Sequence, residues 1–177
     1  MMEVSIDYLF SNQKKFFSRA ISTGTRYALS SFRYAEKVPS HTAFVIEGRW
    51  VVESVFKGGY RVIPYDKWKL INREIARIPA GKKSMDEVKE KSRKFVGKKY
   101  DVYGAVYLAL CFALKIFFGV PLPVRNRLDD SDKFFCCELV AAIDGENFTM
   151  KSPGDVMVHV IQKYGINISE FIKIRRT

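Results

Sequence analysis

The chain has little of what holds small proteins together covalently. It has three cysteines and two histidines in 177 residues. Cys111 stands alone and Cys136 and Cys137 are sequence neighbours, so no disulfide framework can be laid out. No CxxC pair and no His/Cys spacing suits a structural zinc site. Neither a metal nor an organic cofactor is implied. The opening MMEVSIDYLFSNQKK carries Glu3 and Asp7 and lacks the apolar centre of a secretory signal, which predicts a cytoplasmic protein. A virion-associated or membrane-peripheral location remains compatible with that reading. The longest apolar run, Val102–Val124, is broken by Lys115 and by Pro121 and Pro123. Thirteen residues separate Asp101 from Lys115, whereas crossing a bilayer takes roughly 20. The run is read as a buried helix or pair of helices, with a membrane- or substrate-facing lid as the alternative. Cys111 within it reads as a small buried hydrophobe. No internal repeat or low-complexity linker divides the chain, so residues 1–177 form one domain.

What is present is a globular composition with an excess of positive charge. Apolar residues make up 47%, and 30 Lys and Arg face 19 Asp and Glu, a net charge of +11. Lys14, Lys15, Arg19, Arg26 and Arg33 crowd one span, and Arg125 and Arg127 lie in a later loop. Such a balance suits an anionic cell wall or membrane surface. Equally, it could serve solubility alone. No recognition motif points to specific nucleic-acid binding. Oligomeric state is not legible.

Patterning gives an α+β order of elements. Ile6–Phe10 reads as a strand, and Phe16, Phe17, Ala20 and Ile21 recur at helical spacing. His41–Ile46 and Trp50–Ser54 form a hairpin signal across Glu47-Gly48-Arg49. Tyr60–Pro64 and Ile75–Ile78 are further β-rich segments. Ser84 and Glu87 form a capping box that predicts a helix to Phe95 or Val96, stopped by Gly97. The stretch from Val124 to Lys133 is polar and reads as a loop. Phe134–Ile143 reads as a short buried helix ended by Gly145. Ser152-Pro153-Gly154-Asp155 opens another helical turn, and Phe171–Ile174 reads as a last strand.

Within FFCCELVAAI, two thiols stand at a helix start, where free N–H groups and the helix dipole favour a thiolate. Cys136, Leu139, Val140 and Ile143 share one stripe, the one that must face a sheet, and Cys137 is turned about 100° away. That selects Cys136 as nucleophile; the plainer alternative is that both are core cysteines. A base must be His41 or His159. His159 lies in the apolar VMVHVIQ, which suits a structural role. His41 opens a strand, where a side chain can project into a cleft. If Glu47-Gly48-Arg49 is a three-residue loop, Ile46 opposes Trp50 and Ala43 opposes Glu53. His41 and Glu53 are then diagonal neighbours on one face, and the carboxylate can orient the imidazole. A two-residue loop would put Glu53 on the other face. Glu47 shares the face but lies about 20 Å along the strand.

These pieces, in this order, resemble the circularly permuted, papain-like branch of the NlpC superfamily of cysteine hydrolases, the YiiX/YebB/YaeF-like group. IDYLFSNQKKFFSRAI is similar to its opening strand and helix, and SHTAFVIEGRWVVES to its His-bearing hairpin. GKKYDVYG is similar to its Gly-x-x-Tyr-Asp segment, FFCCELVAAI to its Cys-Ser-Glu-Leu-Val helix start, and KSPGDV to its Thr/Ser-Pro-x-Asp turn. His before Cys is the order of the permuted branch. The resemblance implies an antiparallel sheet or small barrel packed on helices. It implies Cys136 as nucleophile, His41 as general base and Glu53 as the residue that orients it. Cys137 stands at the family's serine, and Tyr100 would line the substrate pocket or assist the oxyanion. The long apolar insert between Tyr100 and Cys136 departs from the family.

The function implied is cleavage of an amide bond, in a peptidoglycan stem peptide or an acylated small molecule, by a Cys-His-Glu triad. Two alternatives stand beside it. One is a lipid-directed acyl hydrolase or acyltransferase. The other is a non-enzymatic structural or binding subunit, for instance of a phage particle, that retains the fold.

Overall fold

A hairpin carries the first two chemically interesting side chains. Strands β2 (His41–Ile46) and β3 (Trp50–Val55) pair antiparallel, with Ile46 opposite Trp50. The connection is the three-residue loop: Glu47 and Gly48 both take positive φ, 51° and 63°, and the Arg49 N–H closes onto the Ile46 carbonyl. This computed structural model describes residues 2–12, 16–29, 32, 35, 37–121, 123, 132–146 and 151–167.

The hairpin belongs to an antiparallel five-stranded sheet. β1 (Glu3–Asn12), β4 (Gly59–Pro64) and β5 (Arg73–Ser84) complete it in the order β4-β3-β2-β1-β5. Among the described residues the sheet is open, with β4 and β5 as its edges. β1 and β5 are both longer than the apolar patterning indicates. Their extra residues pair with each other from Glu3–Ser84 to Asn12–Arg73, and backbone pairing recruits polar residues as readily as apolar ones.

Both faces of the sheet are covered. Strand alternation turns Phe44, Ile46 and Val52 with Tyr8 and Phe10 toward the helices, in the main core. Ala43, Val45 and Val51 with Leu9 turn the other way, onto Trp68. Trp68 lies on α2 (Tyr65–Ile71), a short helix that the sequence reading passed over. Its single buried residue is too little to make a helical period.

The remaining helices are α1 (Phe16–Ala28), α3 (Met85–Arg93), α4 (Val102–Phe118), α5 (Cys136–Asp144) and α6 (Pro153–Lys163). α3 begins where the capping box predicts, but Ser84 makes no side-chain cap bond and Glu87 bonds Lys91 at 2.7 Å instead. It ends at Arg93, and a turn runs on to Gly97. The apolar run folds as the single helix α4, capped by Asp101, whose carboxylate accepts the Gly104 N–H at 2.9 Å. Only one of its faces is buried. A two-residue parallel pair, β6 (Lys99–Tyr100) with β7 (Lys133–Phe134), ties the start of α4 to the start of α5. Of the loop expected over Val124–Lys133, residues 124–131 lie outside the described residues and Lys133 belongs instead to β7, where it pairs with Lys99; the last strand expected at 171–174 is outside them too, as are Lys14, Lys15, Arg33, Arg125 and Arg127.

Candidate active site

Helix α5 begins at Cys136, directly after the extended residue Phe135, whose N–H donates to Glu138 Oε2 at 3.0 Å. Cys136, Leu139, Val140 and Ile143 are all buried, and so is Cys137. Up to Ile143, only the side carrying Glu138 and Ala142 is partly exposed, so the offset of about 100° between the thiols distinguishes their neighbours rather than their exposure. Cys136 faces β2, where His41 and the Thr42 backbone lie. Cys137 points into the core toward Asp155.

His41 is the first residue of β2. By alternation it shares a face with Ala43, the face opposite to α5. Its place at the strand end lets the ring meet two partners across the end of the sheet. Nε2 lies 2.7 Å from Glu53 Oε2. The other nitrogen is left for the Cys136 sulfur, close enough that thiol and ring shift each other's titration. The residue before it is anchored: the Ser40 N–H donates to the Ser11 carbonyl at 3.0 Å, and the Ser40 hydroxyl bonds that of Ser18 on α1.

Glu53 has no solvent exposure. Trp68 Nε1 donates to its Oε2 at 3.1 Å, and Arg61 Nε donates to its Oε1 at 2.8 Å. A buried carboxylate without such partners would be protonated. Burial does push its pKa up, but the bonds from His41 and Arg61 overcome this and hold it below the ordinary carboxylate value. Trp68 and Arg61 were not picked out from the sequence. Arg61 was within reach, because the strand after Gly58-Gly59 places it directly opposite Glu53.

The electrostatics separate the two cysteines. The bond from Cys137 is the largest cause holding the Cys136 thiol far below its ordinary 9.0; His41 and the Thr42 N–H add to it against the cost of burial. Burial, and then the negative charge developing on Cys136, push Cys137 up. Burial pulls His41 down, but the Cys136 and Glu53 interactions outweigh it, and its pKa is pushed up to about 10. Both shifts run the same way: they favour the charged forms, a thiolate on Cys136 and an imidazolium on His41.

Tyr100 comes to the site through the β6–β7 pair, and burial keeps its phenol protonated. It lines a pocket beside Cys136 that encloses about 530 Å³ of empty space, part of it open to solvent. Ile21, Leu108, Phe112, Phe135 and Pro153 make most of the wall apolar. The α6 turn is locked by reciprocal caps: Asp155 N–H to Ser152 Oγ at 3.2 Å, and Ser152 N–H to Asp155 Oδ2 at 2.8 Å. That sets Lys151 and Ser152 at the pocket edge.

His159 lies elsewhere, half-exposed on α6, 3.8 Å from Glu146. Glu47 accepts the Ser5 N–H at the far end of the hairpin. Cys111 is buried on α4. Comparison of the chain with family models, curated proteins and solved structures returned no match.

Proposed function

We propose that this chain is a cysteine hydrolase with a permuted papain-like fold, acting through Cys136, His41 and Glu53. One observation carries the reading: a single imidazole joins a buried, charge-held carboxylate to a thiol at a helix start. A non-enzymatic scaffold has no use for that arrangement, since burying the Glu53 carboxylate and pairing it with the partly exposed Arg61 stabilises a fold little compared with apolar packing. Strongly perturbed groups converging beside a pocket are the usual signature of a reacting site.

The chemistry follows from the resting ion pair. The Cys136 thiolate attacks a carbonyl carbon, and the oxyanion is met by the Cys136 N–H at the start of α5, since the Glu138 and Leu139 N–H groups already donate to the Phe135 carbonyl. The His41 imidazolium gives its proton to the leaving amine or alcohol as the carbon–heteroatom bond breaks, which leaves a thioester on Cys136. Neutral His41 then takes a proton from water, hydroxide adds to the thioester, and the acid leaves as the thiolate re-forms. Glu53 steadies the imidazolium and fixes its tautomer, and Arg61 and Trp68 position Glu53.

The pocket wall favours one substrate reading over the other. Its apolar side chains suit an aliphatic acyl group better than the charged peptide of a murein stem, so the acylated substrate is preferred. Turnover of murein peptides and of fatty-acyl amides and esters, with Cys136→Ala as control, tests this. Hydrolysis of acyl compounds that is lost in Cys136→Ala is the expected result. Turnover retained in that variant would refute the mechanism, and turnover of murein peptides alone would overturn the acyl preference.

A further inference from the structure

Helix α4 is apolar on both sides. Gly104, Ala105, Leu108, Cys111 and Phe112 are buried. At about 100° per residue, Tyr103, Val106, Leu110, Leu114 and Phe117 form a second stripe on the opposite side. That stripe is in solvent: Phe117 is 77% exposed and Phe118 beside it 76%. Lys115 is the only charged residue on the helix and falls outside the stripe. A helix apolar all round is normally covered on all sides, and contiguous apolar surface of this kind marks a docking site. At 17 residues α4 is about 25 Å long, and no described helix is long and apolar enough to cross a membrane. It can lie on a bilayer and not through it.

The charge beside the stripe selects the surface. Helices α1 and α4 pack on each other, and neither carries an acidic residue. Arg19 and Arg26 lie on α1, Lys115 lies on α4, and Lys133 Nζ sits 5.8 Å from the centre of the exposed Tyr103 ring. An aromatic beside a lysine at the end of an apolar stripe is the pattern of a membrane interface. A protein partner would need acidic surface to match the same charge; an anionic bilayer offers apolar depth and negative charge together.

We infer that α4, flanked by the basic residues of α1, docks this protein on an anionic lipid bilayer. The Cys136 pocket lies against the buried side of α4, at Ala105, Leu108 and Phe112, and reaches the flank of the helix at Ala109, which is exposed. Docking would bring that flank beside the bilayer. The docking stands on the surface alone; its link to turnover rests on the thiol-hydrolase reading.

The test is co-sedimentation of the full chain with vesicles of equimolar phosphatidylglycerol and phosphatidylcholine, and with pure phosphatidylcholine, at low and high salt. Wild type is expected on the anionic vesicles, released as salt rises, and weakly retained on neutral ones. The triple variant Leu110→Gln, Phe117→Gln, Phe118→Gln, checked for fold by circular dichroism, should bind at least about tenfold more weakly. Arg19→Glu with Lys115→Glu should lose binding to the anionic vesicles while keeping the stripe. Cys136→Ser should bind as wild type, which separates docking from catalysis. Equal binding by the triple variant, or no binding of wild type at low salt, would overturn the inference. So would a wild-type dimer that the triple variant dissociates while neither binds vesicles, because the stripe would then be a contact between two copies.

Discussion

His41 Nε2 lies 2.7 Å from Glu53 Oε2, and that carboxylate is closed off from solvent by Arg61 and Trp68. The bond does two things. It fixes which ring nitrogen is free to face Cys136, and it brings a negative charge close to the imidazolium that the reaction needs. Glu53→Gln keeps the shape and removes the charge. His41 should then lose much of its elevation above 6.5, read by NMR titration of the ring. Turnover should fall by about 10²- to 10⁴-fold, whereas stability in urea should fall less than for a fully buried pair, because Arg61 is 35% exposed and stays solvated. An unchanged His41 titration would mean that Glu53 does not act through the ring.

The two neighbouring thiols should differ in reactivity. Cys136 is held low and Cys137 is pushed high, so iodoacetamide should label Cys136 well below pH 8.5 at a rate nearly flat through neutrality. Cys137 and Cys111 should label only on unfolding. Peptide mapping by mass spectrometry reads the order. His41→Gln should move the onset of Cys136 labelling to higher pH, while the contribution of Cys137 remains.

Stability should show a plateau set by the ion pair. Taken alone, His41 has a raised folded pKa: its contribution is complete below 6.5 and is lost as pH rises through about 10. Taken alone, Cys136 has a depressed one: its contribution is complete above 9.0 and is lost as pH falls through the depressed value. Between 6.5 and 9.0, wherever the folded pair is a thiolate and an imidazolium, the folded and unfolded pairs hold the same number of protons, so the pair's contribution is level. It should decline above 9.0 and below 6.5, and protonation of Glu53 should steepen the acid limb. Urea midpoints across pH for wild type, with Cys136→Ser subtracted, would reveal the plateau.

Gly59 opens β4 at φ +67°, and a Cβ there would lie 2.0 Å from the Lys98 carbonyl oxygen, on the chain that leads into β6 and Tyr100. Gly59→Ala should therefore cost more than about 2 kcal/mol. Gly58→Ala meets nothing within 4 Å, though its φ is +116°, and should cost about 1 kcal/mol through backbone strain alone. Denaturant titration of the two variants compares them.

Much of this arrangement was legible in the residues. The three-residue loop at Glu47–Arg49 sets the hairpin register, and register sets the face that Glu53 occupies. The helix start at Cys136 was legible because apolar residues recur behind it. What the sequence hid depends on contacts between distant segments. α2 has one buried side chain, Trp68, and β6 and β7 have two residues each, too short for any period to show. The outer face of α4 was hidden for a different reason. Apolar patterning reports which residues avoid water, and α4 avoids it on two sides, so composition alone reads as burial where the fold leaves a face open.

The most direct measurement is a short reaction of the protein with a p-nitrophenyl fatty-acyl ester, quenched in acid and mapped by mass spectrometry. An acyl adduct on Cys136 that forms and decays in step with product release, and that is absent from Cys136→Ala, is the predicted result. An adduct on Cys137, or ester turnover with no adduct and no loss in Cys136→Ala, would contradict the account.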